Sequence, residues 1–275
     1  MNRKFLVLVL ILLALIIFLN GITENEEMAK FNPLELEIGD TFAYLNSEEK
    51  RVVLNYEIGD VTGDGENDMI IVIGEKSGDE LLCHNIDVVL YDIKKDKFMD
   101  TKLKKYSGSL PKIHLKDIDG DSVNDVIVIA DLENVGQKIR GVSFVHDMPK
   151  EILNEKDSKG IDVSGTILDG FKASLKLKKL KKEAYIDLSE NKGNYITSGF
   201  YMENGKLRTD KTAVTSAGIS DIDFVQLDNQ TGIRFVERIK GFDNLDIIEQ
   251  IEVLMKYENG NWVIIEVKGE RIGSL

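Results

Sequence analysis

Cysteine, histidine and tryptophan are scarce in this sequence: one, three and one among 275 residues. A single cysteine excludes an intramolecular disulfide framework and any cysteine-cluster zinc or iron–sulfur site. His84, His114 and His146 lie far apart in sequence, which argues against a multi-histidine metal centre. Positive charge is also short. Lys+Arg number 35 against 48 Asp+Glu, a net charge of −13, and the pI is near 4.8. A nucleic-acid binder needs a basic surface to meet phosphates, so that class is disfavoured. No G-x-S-x-G occurs, and no Ser/His/Asp order stands in a recognisable motif context. Few windows carry a 3.6-residue apolar period. The best is Asp243–Met255, which is read as a helix. Apolar residues are not lacking: at 43% they exclude wholesale disorder despite 30% charged residues.

The one long apolar run is at the start. Arg3 and Lys4 precede an uninterrupted stretch from Phe5 to Leu19, and polar sequence follows from Asn20. A basic head and an apolar stretch of this kind read as a signal anchor or secretory signal over residues 1–23. Fifteen helical residues reach about 22 Å, short of the ~30 Å hydrocarbon core, and Ile22 and Thr23 extend the span. Gly21 and Thr23 offer only a weak cleavage site, and no cysteine follows to carry a lipid. The expectation is a single-pass membrane protein with its domain facing out, or a protein secreted after cleavage. Residues 24–38 are polar and acidic and read as a linker. Cys83 then stands alone in an exported domain and reads as a small buried apolar residue.

Beyond residue 39 the dominant signal is strand. Short runs rich in Val, Ile, Phe, Tyr and Leu alternate with Gly, Asn, Asp and Ser, as in Arg51–Tyr56, Ile86–Tyr91, Ala173–Leu177, Ile251–Tyr257 and Trp262–Val267. Asn204-Gly205 and Asn259-Gly260 read as tight primed hairpin turns.

An internal repeat stands out. Asp60–Ile73 (DVTGDGENDMIIVI) is matched by Asp117–Ile129 (DIDGDSVNDVIVI). The distance along the chain from Asp60 to Asp117 is about the length of one four-stranded propeller blade. The apolar runs that close each copy, Met69–Ile73 and Val126–Ala130, do not alternate, so both faces are expected to be buried.

Each copy places oxygen ligands at positions 1, 3, 5 and 9: Asp60, Thr62, Asp64 and Asp68 in the first, Asp117, Asp119, Asp121 and Asp125 in the second. Gly63 and Gly120, at position 4, let the loop curl with positive φ. The carbonyls of Glu66 and Val123, at position 7, are further candidate ligands. Converging hard oxygens in flexible geometry suit Ca²⁺ at both loops, with Mg²⁺ the second choice. An EF-hand is excluded, because position 12 is Ile71 or Val128, inside an apolar strand, where that motif needs a glutamate and a following helix. Three or four carboxylates in one short loop repel each other without a cation.

These segments resemble the FG-GAP/VCBS repeat, the calcium-binding hairpin loop of integrin α-subunit propellers and of many bacterial surface proteins. The resemblance implies ligand roles for the eight residues named above, an exported location and a β-rich fold. It departs at Thr62, where the family often has Asp or Asn, and at Ser122, where glycine is usual. Further segments, among them Tyr201–Leu207 and Lys256–Val263, resemble bacterial proteins known only as VCBS-repeat-containing. Leu227–Gly232, before Arg238–Gly241, reads as a third loop that has lost most carboxylates and takes no metal. The resemblance supplies no reaction.

Other features have bland readings. Six lysines within 172–182 read as the solvated face of a hairpin more readily than as a patch for anionic polymers or lipid headgroups. Trp262 and Tyr257 read as the edge of a core more readily than as a sugar-stacking pair. The expected architecture is mainly β and propeller-like, preceded by one transmembrane helix. It has repeats over 39–165 and a β-rich C-terminal region over 166–275 packed on them, about four units at the spacing of the two loops. The expected function is a non-catalytic, calcium-stabilised extracytoplasmic module with a structural role or a surface protein or glycan partner. The alternative is a calcium-supported hydrolase or lyase acting on wall or extracellular polysaccharide.

Overall fold

The structure, a computed structural model, describes residues 32–42, 50–76, 81–132, 136–210 and 213–274. The apolar N-terminal run and most of the stretch read as linker lie outside these. Among the described residues no helix is long and apolar enough to cross a membrane. The strands among them, nearly all antiparallel neighbours in sequence, pair into one open network, so the architecture is mainly antiparallel β.

The first eight strands form two four-stranded meanders. The first unit is β1 (Arg51–Gly59), β2 (Asp68–Lys76), β3 (Leu82–Asp92) and β4 (Lys97–Thr101). The second is β5 (Gly108–Lys116), β6 (Asp125–Leu132), β7 (Gly136–Ser143) and β8 (Lys150–Leu153). β5 begins as far after β1, and β6 as far after β2, as Asp117 lies after Asp60, so the sequence repeat is a repeat of units. Short pairing at Leu82↔Ser109 and Cys83↔Gly108 joins the two.

The non-alternating runs are buried on both sides because each strand feeds two cores. Ile70 and Val72 of β2 share a core with Val126, Val128 and Ala130 of β6. Met69, Ile71 and Ile73 point the other way, to Leu36, Phe42, Val53 and Tyr91. Thus part of the stretch read as linker, around Leu36, is packed. Ile127 and Ile129 of β6 turn from the shared core toward Ile118, Ile139, Leu153 and Ile233.

The C-terminal half holds β9 (Val163–Leu168), β10 (Lys172–Leu177) and β11 (Lys182–Asp187), then a short helix, Lys192–Thr197. A long meander follows: β12 (Ala213–Gln226), β13 (Thr231–Lys240), β14 (Ile247–Glu258), β15 (Asn261–Gly269) and the brief β16 (Gly273–Ser274). β9 pairs with both β10 and β12, so the division drawn at residue 165 runs through a strand of the C-terminal half. The largest core lies here, around Leu175, Leu177, Ile186, Tyr201, Phe235, Ile239 and Ile251. The chain end is clasped by buried Glu249, whose carboxylate accepts N–H bonds from Glu270, Arg271 and Ile272 at 3.0–3.1 Å.

Two sequence expectations fail. Asp243–Met255 is not a helix: a turn closed by Gly241 N–H to the Asp246 carbonyl leads into β14, paired on both sides. Ile251 and Val253 are buried while Gln250 and Glu252 are exposed, the period of a strand. The two Asn-Gly turns also differ. Asn259 and Gly260 both have positive φ (52° and 80°), the primed two-residue turn expected. At Asn204-Gly205 only the glycine does (79°), and the turn spans Met202–Gly205 with Gly205 N–H donating to the Met202 carbonyl. The six lysines do lie along the β10–β11 hairpin, where Ala173, Leu175 and Leu177 point inward. Lys176 and Lys178 are paired with Glu183 and Asp162.

Candidate metal centre

The acidic loops join the first strand of each unit to the second and are built by the same hydrogen bonds. At position 1, Asp60 accepts from Gly63 N–H (2.7 Å) and Gly65 N–H (2.9 Å). Asp117 accepts from Gly120 N–H (2.7 Å) and Ser122 N–H (3.0 Å). At position 5, Asp64 and Asp121 accept from the N–H of Glu66 and Val123. At position 9, buried Asp68 and Asp125 accept from the two N–H groups that open their own loop. The curl needs positive φ at position 4, and Gly63 (78°) and Gly120 (86°) provide it. Ser122, at 74°, keeps the conformation of Gly65 (84°), so this departure leaves the backbone path unchanged.

Electrostatically the loops differ. In the second, carboxylate oxygens of Asp117, Asp119 and Asp125 all lie within 4.8 Å of one another. Asp125 is 1% exposed, and its Oδ1 has no hydrogen-bond partner. Burial first, and then the charges of Asp119 and Asp121, push its pKa up to about 8. Burial and the neighbouring acids also raise Asp119. Asp121 is exposed at the tip. In the first loop Thr62 stands at position 3, and its buried Oγ1 has no partner. Lys94, from the β3–β4 turn, ion-pairs with Asp64 at 3.3 Å. The Glu66 N–H and then Lys94 hold the Asp64 carboxyl below its ordinary range. Burial raises Asp68. The sequence had no signal for Lys94, because β2 and β3 separate it from the loop along the chain.

The second loop fits a hard cation. Its crowded carboxylates and the orphaned Asp125 oxygen are polar groups that burial penalises unless something positive meets them. For such an ion Asp117, Asp119 and Asp125 would supply the inner oxygens, and exposed Asp121 stands at the rim. The N–H groups tied to Asp64 and Asp121 belong to the Gly65–Glu66 and Ser122–Val123 peptides; the carbonyls of Glu66 and Val123 stand in the next peptides along, which these bonds do not fix.

The remaining candidates are held by packing. His114 lies against Phe224 with ring centroids 5.1 Å apart, and burial lowers its pKa. Trp262 donates from Nε1 to the Ile152 carbonyl at 2.8 Å and packs beside Tyr257. Both rings therefore serve the contact between the β14–β15 hairpin and the second unit. Cys83 is 4% exposed, and burial pushes its thiol pKa up.

Residues 161–269 match the family model described as the YybI C-terminal domain, a span that runs from just before β9 to the end of β15. The chain is also similar to the uncharacterized protein YybI of Bacillus subtilis (strain 168). Identity is 24% over 225 residues, covering 78% of this chain and 84% of that protein. No solved structure matches. Both acidic loops lie outside the family-model match.

Proposed function

We propose that this chain is a calcium-stabilised β-repeat module of the FG-GAP/VCBS type, with a structural or interaction role and no reaction of its own. The observation that carries the reading is buried Asp125, whose Oδ1 has no hydrogen-bond partner and whose carboxylate lies within 4.8 Å of those of Asp117 and Asp119. Two loops built by matching hydrogen bonds in successive four-stranded units support the repeat. The apolar run Phe5–Leu19 after Arg3 and Lys4 supports a place outside the cytoplasmic membrane, anchored or secreted.

A bound Ca²⁺ supplies the positive charge that these carboxylates otherwise lack. The chain does the rest: Asp117 spends both of its oxygens on loop N–H groups, and Asp119, Asp121 and Asp125 one each, so their orientation is set in advance. Binding to the folded form alone adds about 2.7 kcal/mol at 100 times Kd. Millimolar external Ca²⁺ saturates sites with Kd of about 10⁻⁴ M, which favours a structural role over a sensor.

Thermal unfolding of the full chain in detergent, in EDTA and then across Ca²⁺ and Mg²⁺ titrations, tests the reading. A Ca²⁺-specific rise in midpoint that Asp121→Ala reduces and Asp125→Asn removes for the most part is the expected result. No shift with either cation would sink it.

A further inference from the structure

The second acidic loop is bonded to a segment far along the chain: the turn between β12 and β13, residues 227–230. Thr231 N–H donates to the Asp117 carbonyl at 2.7 Å. The Gln230 side-chain amide donates from Nε2 to the Ile118 carbonyl (3.0 Å) and to the Tyr257 carbonyl of β14 (2.9 Å). Gln230 is 8% exposed, and a Cβ on Gly120 would touch its side chain at 3.6 Å and that of Asn229 at 3.7 Å.

Two successive peptide groups therefore face both ways. The Asp117–Ile118 peptide gives its N–H to Asp125 Oδ2 (3.0 Å) and its carbonyl to Thr231. The Ile118–Asp119 peptide gives its N–H to Asp125 Oδ2 (3.3 Å) and its carbonyl to Gln230. In a trans peptide the N–H and C=O point in opposite directions and rotate together. Whatever fixes the Asp125 carboxylate also fixes the two acceptors that hold the β12–β13 turn, beside the Trp262–Ile152 bond and the β7–β12 pairing that join the same halves. Hydrogen bonds in series also polarise one another, which strengthens both ends.

We propose that the loop 117–125 is an ion-operated clamp: a divalent cation held there locks the β12–β13 turn, and with it the C-terminal half, onto the second unit. The inference rests on the calcium reading and adds a regulatory consequence to it. Extracellular Ca²⁺ sets how tightly the two halves of the chain are docked. By linkage, the docked turn raises the affinity of the loop for the ion by the same factor.

Hydrogen exchange on the full chain in detergent, with EDTA or CaCl₂, tests this alongside calorimetric Ca²⁺ titration. Exchange at the amides of Leu227 and Thr231 is expected to slow at least tenfold with Ca²⁺. Asp125→Asn abolishes that slowing, whereas Asp68→Asn in the first loop leaves it intact. Gln230→Met, which keeps length but removes the amide, lowers Ca²⁺ affinity at least threefold, and Gln230→Ala does the same. If Ca²⁺ binds but exchange at 227–231 and the Gln230 variants' affinities are unchanged, the clamp is overturned and the calcium reading stands. If no Ca²⁺ binds, both are overturned.

Discussion

Asp68 and Asp125 sit at the same place in two loops and make the same pair of bonds, each accepting the two backbone N–H groups that open its own loop. Their surroundings separate them. Asp125 is crowded by Asp117 and Asp119, whereas Asp68 shares its loop with Thr62 and with an Asp64 already paired to Lys94. Asn at either position keeps an oxygen for the N–H groups. Asp125→Asn is therefore expected to leave the midpoint in EDTA unchanged or higher, while removing most of the gain on adding Ca²⁺. Asp68→Asn is expected to remove a smaller share. Equal losses of the Ca²⁺ gain in parallel thermal melts would show the loops to be equivalent.

Gly63 carries two constraints at once. Its φ is 78°, and a Cβ there would lie 2.7 Å from Val123 Cγ2 of the second loop. Gly120 has the same φ requirement but its nearest contact is at 3.6 Å. The left-handed conformation costs an alanine roughly 1–2 kcal/mol, and overpacking adds about 1–3 kcal/mol. Gly63→Ala is expected to destabilise more than Gly120→Ala, and Val123→Ala to restore part of the difference. Urea midpoints of the three variants and the double variant check this. A double variant no more stable than Gly63→Ala would remove the contact as the cause.

Glu237, on β13, is 1% exposed. One oxygen accepts the Ile161 N–H at 2.8 Å and the other has no partner. Burial raises its pKa above the ordinary 4.5. The folded state then holds a proton that the unfolded state has released, so stability falls as pH rises above 4.5 toward the raised value. Glu237→Gln is expected to flatten that slope, gaining stability over the parent at pH 8 and little at pH 4. Denaturant midpoints at half-unit pH intervals provide the check, and parallel profiles for the two proteins would refute it.

Cys83 is buried, with its thiolate disfavoured by desolvation. A thiol reagent at pH 8 is expected to react with the unfolded chain at once and with the folded chain only as fast as it opens. Immediate full reaction of the folded protein would place the thiol at the surface.

Trp262 serves as a test of the sugar-binding alternative. Its Nε1–H is taken by the Ile152 carbonyl. Trp262→Phe is expected to lose about 1 kcal/mol, the worth of one such bond. Tryptophan fluorescence is expected to be unmoved by a panel of wall and exopolysaccharide fragments. Saturable quenching by one of them would revive the glycan reading.

What was legible in the sequence was local. The β-branched runs between Gly/Asn/Asp turns located strands, and the unbroken apolar runs at 69–73 and 126–130 foretold strands buried on both faces. The loop residues at positions 1, 5 and 9 could be read because they bond within their own loop. What could not be read depended on neighbours far away. Ile247, Ile248, Ile251, Leu254 and Met255 fit a helical stripe, but β13 and β15 flank that segment and settle it as a strand. The same Asn-Gly pair makes a primed turn between β14 and β15 and a different turn after Met202, because register decides which residues close it. Gln230 bonds to a loop far back in the chain, in the second unit, and Lys94 reaches back past two strands to the first.

The alternation of β6 between two cores limits how this chain can drift. Val126, Val128 and Ala130 fill the space shared with β2, while the larger Ile127 and Ile129 face the C-terminal side. Inserting or deleting a single residue between Asp117 and Asp125 would slide β6 by one place and exchange the two sets. Isoleucines would then crowd the tight side, and valines and an alanine would leave gaps on the other. The spacing of the loop is thus held by packing as well as by whatever its carboxylates bind. A relative that had lost every acidic residue there would still be expected to keep the number of residues between the strands.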